Sequence, residues 1–267
     1  MSRANKGTMD LQLSGKTALV TGSTKGIGLG IARSLAREGA NVIVNGRSEA
    51  SAKAAADQIG NGARWIAADV STAEGCAVIA EQAGQVDILV NNAGIFEPKP
   101  FADIPDEDWE RFYQVNVMSA IRLTRALLPG MLERNWGRVI FISSESGIQI
   151  PEEMVHYGMT KAAEIALVNG IARTTKGTGV TVNAVLPGPT ASEGVTDFVG
   201  QLASEAKQTP EEFEKEFFRS VRGTSLLQRF ATVEEIADTV AFISSPLASA
   251  TNGAAVRVDG GVLLATA

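Results

Sequence analysis

Short β-rich runs alternate with helix-patterned segments along nearly the whole chain, and this alternation constrains the fold more than any other feature. Residues 16–21 (Lys, Thr, Ala, Leu, Val, Thr) predict a strand that stops at Gly22, and the pattern from Ile27 to Glu38, closed by Gly39, predicts a helix. The same order recurs: strand Asn41–Asn45, alanine-rich helix Glu49–Ile59, strand Arg64–Asp69, then a helix capped by Ser71 and running to about Ala83. Strands Val86–Asn91 and Gly137–Ile142 flank a largely helical stretch from Asp103 to Leu132. A helix from about Val155 to Thr175, strand Val180–Leu186, helix Thr232–Ser244 and strand Ala255–Asp259 complete the series. Strands of continuous apolar residues joined through helices can pair only in parallel, with helices covering both faces. The expectation is a single α/β domain over residues 11–267, after a polar lead-in at 1–10. Residues 190–222 alone break the rhythm and are the candidate for a substrate lid.

The chain has 267 residues, 45% of them hydrophobic, enough for one substantial core. Its 24 basic and 30 acidic residues leave a net charge of −6, which does not favour nucleic acid or an anionic membrane surface as partner. A single cysteine, Cys76, excludes an internal disulfide framework, and with one histidine, His156, it excludes a His/Cys metal cage within one chain. No apolar run approaches the roughly 20 residues needed to span a bilayer, and residues 1–10 lack the apolar core of a signal peptide. The expected location is the cytoplasm.

Two clusters carry chemistry. Thr21, Gly22, Ser23, Thr24, Lys25, Gly26, Ile27 and Gly28 form a glycine-rich turn where the first strand hands over to the first helix. Glycines there let the backbone turn tightly and bring a pyrophosphate against the free N–H groups of the helix N-terminus. Tyr157 and Lys161 lie four residues apart and share one helix face, where a cation favours the ionised phenol. Ser143 and Ser144 end the preceding strand. Such a set suits proton exchange with a carbonyl or alcohol oxygen.

In this order and at these intervals the chain resembles the short-chain dehydrogenase/reductase family over about residues 11–261. The resemblance rests on TGxxxGIG at 21–28, Asn91-Asn92-Ala93-Gly94, Asn116, Ser144, YxxxK at 157–161 and Pro187-Gly188. The nearest type within it is 3-oxoacyl-carrier-protein-reductase-like. The resemblance implies a Rossmann-type sheet of seven parallel strands in the order 3-2-1-4-5-6-7 with the site at their carboxyl ends. It also implies hydride transfer between a nicotinamide cofactor and a carbonyl or secondary alcohol of a small or medium substrate. Tyr157 is then the general acid, Ser144 bonds the substrate oxygen, Lys161 holds the nicotinamide ribose and lowers the Tyr157 pKa, and Asn116 holds a water-linked proton relay. Asp69 and Val70 match the adenine contacts, Asn92, Ala93 and Gly94 line the cofactor, and Pro187 and Gly188 pass its carboxamide. Either Thr190 or Ser192 supplies a further hydroxyl. The family habit is a homotetramer, with the 105–132 and 155–175 helices at an interface.

At the end of the second strand the chain reads Asn45-Gly46-Arg47-Ser48, with no carboxylate to accept ribose hydroxyls. Arg47 can pair with a phosphate, and Lys25 adds a second cation, so the cofactor expected is NADP(H) rather than NAD(H). His156 is expected at the pocket rim or against a neighbouring helix, because adjacent helical residues point about 100° apart. Glu145, Glu152 and Glu153 flank the pocket; the plain reading of this charge run is a solvated loop, and the functional one is a charge that disfavours anionic substrates near the carbonyl. Two other readings keep the same turn: a nucleotide-sensing regulator or scaffold that binds NADP(H) without turnover, and an epimerase or dehydratase acting on a sugar nucleotide.

Overall fold

Alternate residues of each central strand enter different cores, which is why apolar runs occur here without polar partners. Ala18, Val20, Val42, Val44, Ile88, Val90, Ile140 and Ile142 belong to one buried cluster, while Leu19, Ile43, Leu89, Val139 and Phe141 belong to another. The computed structural model describes residues 9–193 and 208–264. Its strands are β1 (Thr17–Val20), β2 (Asn41–Gly46), β3 (Arg64–Ala67), β4 (Ile88–Asn91), β5 (Gly137–Ile142), β6 (Val180–Pro187) and β7 (Ala255–Val258). They form one seven-stranded sheet in the order β3-β2-β1-β4-β5-β6-β7, parallel throughout. This is the doubly wound Rossmann-type architecture expected.

The first core is closed by α1 (Gly26–Arg37), α2 (Glu49–Ile59) and, packed along α1, α8 (Val233–Ser244). The second is closed by α3 (Ala73–Ala83), α5 (Ser119–Glu133) and α6 (Val155–Thr174). Burying strands on both faces this way contributes about 25 cal/mol for each Å² of apolar surface removed from water. β5 and β6 are buried at every position, whereas β3 and β7, at the sheet edges, are partly exposed.

Local boundaries differ from expectation in places that matter. The cap of α3 is Thr72, whose side chain accepts from the Gly75 N–H, and not Ser71. The stretch from Asp103 to Leu132 is largely helical as expected, but not uniform: a 3₁₀ turn (Phe101–Asp103) and α4 (Asp106–Phe112) lead into a π-helical turn (Tyr113–Met118) that continues directly into α5. Such a turn adds a residue to the helical repeat and re-aims the side chains that follow it. Asn116 lies inside it. Of the candidate lid at 190–222, residues 194–207 lie outside the described residues; α7 (Pro210–Ser220) follows them, started by a Thr209–Glu212 capping box.

The strand order reverses between β1 and β4, so their connections depart to opposite faces and leave a crevice beyond their carboxyl ends. Most of the candidate site residues line that crevice; Thr21, Ser23 and Asn116 lie behind its wall.

Candidate active site

At the end of β1 the chain turns through Gly22 at φ +59°, close enough to Ala93 that an added Cβ would stand 2.9 Å from its Cα. At Gly28 a Cβ would meet the Asn92 side-chain nitrogen at 2.4 Å and the Gly22 carbonyl at 2.6 Å. Glycine at these two positions is a steric requirement of the turn. Thr21 and Ser23, expected among the cofactor contacts, are instead buried and spent on backbone. Thr21 Oγ1 accepts from the N–H groups of Asn92 and Ala93 at 2.9 and 3.0 Å, and Ser23 Oγ donates to the Val20 carbonyl at 2.6 Å. They tie the β1 turn to the β4 turn and shape the cradle from behind. Asn92 donates from its amide to the carbonyls of Thr21 and Gly22, closing the same link.

In front lies a cavity of about 1040 Å³. One end is lined by Gly22, Thr24, Lys25, Gly26, Ile27 and Gly28, with Arg47, Asp69 and Val70 beyond. Lys25, Arg47 and Asp69 are exposed. Asp69 accepts from the Ser71 N–H at 2.9 Å, a turn-forming role that leaves its other oxygen to the cavity. Ala93 and Gly94 form the middle of the wall together with Pro187 and Gly188, where a Cβ on Gly188 would stand 2.6 Å from the Asp259 carbonyl. Thr190 and Ser192 both reach the cavity, but differently. The Thr190 hydroxyl donates to the Gly188 carbonyl at 2.9 Å, whereas Ser192 stands directly over Gly26.

The other end holds Ser144, Tyr157 and Lys161. Two bonds lock the end of β5 to α6: Ser143 Oγ donates to the Lys161 carbonyl at 2.8 Å, and Lys161 Nζ donates to the Ile142 carbonyl at 2.8 Å. Ser143 is thus a strand-end hydroxyl bonded to backbone. Lys161 is 4% exposed and also pairs with both oxygens of Glu164, at 3.1 and 3.2 Å. Burial pulls the Lys161 ammonium down, but Glu164 and Tyr157 outweigh it and hold the pKa above the ordinary lysine value. Burial pushes the Glu164 carboxyl up to about 7 against the opposing pull of Lys161. Sequence reading missed Glu164, although its i, i+3 spacing from Lys161 is a visible signal.

At Tyr157 the lowering pull of Lys161 is present as expected, but burial outweighs it. Burial pushes its phenol above the ordinary range, and the attraction of Lys161 and a hydrogen bond with Ser144 offset this only in part. The raised value favours the protonated phenol, the form an acid needs. Phe96 packs edge-on against its ring at 6.4 Å between centroids. Asn116 is fully buried; its carboxamide accepts from the Ile95 N–H at 2.8 Å and donates to the Ile95 carbonyl and to Thr160 Oγ1, each at 3.0 Å. Its oxygen and Lys161 Nζ both face the bare α-carbon of Gly94, where a Cβ would stand 3.5 and 3.6 Å from them. His156 packs against Phe112 and Trp109 of α4, with ring centroids 4.0 and 5.9 Å away, and burial lowers its pKa. It faces the neighbouring helix and stays out of the chemistry.

Glu145 is 5% exposed and no part of a solvated loop. One carboxylate oxygen accepts from the hydroxyls of Ser144 and Ser146, both at 2.6 Å, and the other from Arg222 Nε at 3.2 Å. Arg222 and the α7 residues Phe213 and Phe217 reach the cavity wall with Phe230, a group the sequence pattern does not reveal.

The profile of the short chain dehydrogenase family matches residues 16–203. The chain belongs to that family. An uncharacterized oxidoreductase of Bacillus subtilis (strain 168), YvaG, is 49% identical over 260 residues, covering 96% of this chain and 98% of its own. A 3-oxoacyl-[acyl-carrier-protein] reductase of Aquifex aeolicus (strain VF5) is 36% identical over 262 residues, covering 95% and 100%. Among solved structures, L-sorbose reductase of Gluconobacter frateurii, complexed with NADPH and L-sorbose, superposes with a TM-score of 0.91 at 32% identity, covering 96% of this chain and all of that one. As a short chain dehydrogenase the protein is an oxidoreductase acting on CH–OH or C=O groups with a nicotinamide cofactor. No helix among its described residues is long and apolar enough to cross a membrane.

Proposed function

We propose that the protein reversibly reduces a carbonyl to a secondary alcohol with NADP(H), Tyr157 acting as the general acid and base. The observation that carries this reading is the joint placement of the Tyr157 phenol, the Ser144 hydroxyl and the Lys161 ammonium on one wall of a cavity whose far end is the Gly22–Gly28 cradle. That cradle fits a dinucleotide: the two glycines leave room where any Cβ would collide, and the α1 N-terminus presents free N–H groups to a pyrophosphate. When bound, the nicotinamide supplies or accepts the hydride.

The chain's own residues do the rest. Tyr157 gives its proton to the carbonyl oxygen in reduction and takes it back in oxidation, and Ser144 holds that oxygen. Lys161, fixed by Ile142 and Glu164, favours the phenolate as it forms and faces the ribose site. Asn116, by gripping Ile95 on both sides, holds the Gly94 turn open before Lys161 and so keeps a path for water-borne protons. Ser192, over Gly26, is the hydroxyl placed for the pyrophosphate, and Asp69 and Val70 are placed for the adenine.

NADP(H) is preferred because the ribose end carries Lys25 and Arg47 and, within Asn45–Ser48, no carboxylate to repel a 2′-phosphate. The relatives' names span different substrates, so they select none for this chain. A steady-state comparison tests the reading: NADPH is expected to support a higher kcat/KM than NADH across a panel of ketones, aldehydes and diketones. Tight NADPH binding with no turnover of any of them would move the protein to the nucleotide-sensing class. A homotetramer in the cytoplasm completes the reading, and light scattering on the purified protein checks the assembly.

A further inference from the structure

We propose that the substrates are neutral carbonyl compounds with a hydroxyl on the carbon next to the C=O, and that Glu145 recognises that hydroxyl. The inference rests on the roles proposed above for Ser144 and Tyr157. A serine hydroxyl has one proton to give. Here it is given to Glu145 Oε2 at 2.6 Å, while the Ser144 oxygen accepts from the Ser146 N–H at 3.1 Å. A carbonyl oxygen arriving between Ser144 and Tyr157 needs that proton.

Turning it away deprives a carboxylate that is only 5% exposed of one of its donors, with little water to make up the loss. A hydroxyl on the adjacent carbon lies beside the carbonyl oxygen and can donate to Glu145 in place of Ser144. The Ser144 proton is then free for the carbonyl, and every polar group stays paired. A ketone without that hydroxyl leaves either its own oxygen with Tyr157 alone or Glu145 Oε2 with Ser146 alone, one donor fewer in either case. A site built to bond a substrate hydroxyl discriminates strongly against analogues lacking it, for this reason.

Charge narrows the class further. Arg222 lies between Glu145 at 3.2 Å and Glu153 at 3.6 Å. Arg111 is shared by Glu97 at 2.8 Å and Asp108 at 2.9 Å, and Lys161 is held by Glu164 at 3.1 Å. Among the described residues lining this end, each cation is thus already matched by a carboxylate, and an anionic substrate would meet Glu145 without a free counter-charge. Phe96, Phe213, Phe217 and Phe230 supply apolar walls for the carbon skeleton.

The test compares three small carbonyl compounds with NADPH as reductant: hydroxyacetone, acetone, which lacks only the hydroxyl, and acetoacetate, which carries a charge. Hydroxyacetone is expected to exceed acetone at least ten-fold in kcat/KM, and acetoacetate to fall below hydroxyacetone. In Glu145→Gln the hydroxyacetone-to-acetone ratio should drop to within three-fold of unity, with NADPH affinity showing that the variant is folded. Equal rates on hydroxyacetone and acetone, faster reduction of acetoacetate, or a ratio that survives Glu145→Gln overturns the proposal; if that variant does not fold, the wild-type ratios decide. Butane-2,3-dione separates the two levels. Its reduction without a preference for hydroxyacetone overturns the recognition role alone, whereas no reduction of any of the four compounds overturns hydride transfer as well.

Discussion

The two ends of the cavity are built on different principles. At one, Ser143, Ser144, Glu145, Asn116, Lys161 and Glu164 are all buried, and their side chains are bonded to one another or to backbone. At the other, Lys25, Arg47 and Asp69 stand in water. The buried end is held in geometry by the same interactions that hold the fold, so its groups reorganise little when they react. The exposed end keeps its charges hydrated, and in the proposed function they contribute cofactor affinity without stability. Substitutions at the first end should therefore cost rate and folding together, and at the second only cofactor preference.

The largest effect should come from Tyr157→Phe, which removes the proposed proton donor but keeps the ring against Phe96. Turnover is expected to fall by about 10³- to 10⁴-fold while NADPH affinity, followed by fluorescence titration, changes little. Lys161→Ala breaks the buried pair and strands Glu164, at a cost of about 3 kcal/mol in urea unfolding. Because Glu164 escapes part of that cost by taking up a proton, the loss should be greater at pH 8 than at pH 6. An equal loss at both would break the idea that folding and chemistry share this pair.

Glu164→Gln probes the same corner more gently. Its folded pKa of about 7 lies above the ordinary 4.5, so between these values the folded protein holds a proton that the unfolded chain has released. Wild-type stability from this group is fully present below pH 4.5 and lost as pH rises through about 7. The glutamine variant should show a flatter profile, differing by up to about 3 kcal/mol across that window. The smallest effect belongs to the open end. Arg47→Ala should lower kcat/KM for NADPH about ten-fold, leave NADH within about two-fold, and not move the unfolding midpoint. A change in stability there would erase the contrast between the two ends.

Much of the scaffold could be read from residue patterns because its punctuation is local. Gly60 follows α2 directly, and β5 and α2 begin and end where the pattern predicts. The π-helical turn could not be read, since one extra residue in the helical repeat leaves an apolar run looking helical throughout. Thr21 and Ser23 stand in the cofactor motif, yet which face of the turn a side chain takes depends on β4 and β2, far away in sequence. Glu145 was misjudged for a plainer reason. Its partner Arg222 is 77 residues distant, and neither residue carries any local mark of the other. The Tyr157 and Lys161 spacing was visible, but the burial that sets their proton affinities is a property of the packed site.

The paired bonds between the end of β5 and the middle of α6 have one more consequence. Ser143 reaches the Lys161 carbonyl and Lys161 reaches the Ile142 carbonyl, and both anchors lie outside residues 145–155. The segment between them is clamped at its two ends, and its first turn is tied to the clamp as well: Glu145 is bonded to Ser144, and a Cβ on Gly147 would stand 2.8 Å from the Lys161 carbonyl. For an engineer the exchangeable cassette is the more exposed stretch beyond Gly147: residues 148–154 of a relative could be grafted in to change what the cavity admits, while Ser143 and Lys161 keep their bonds.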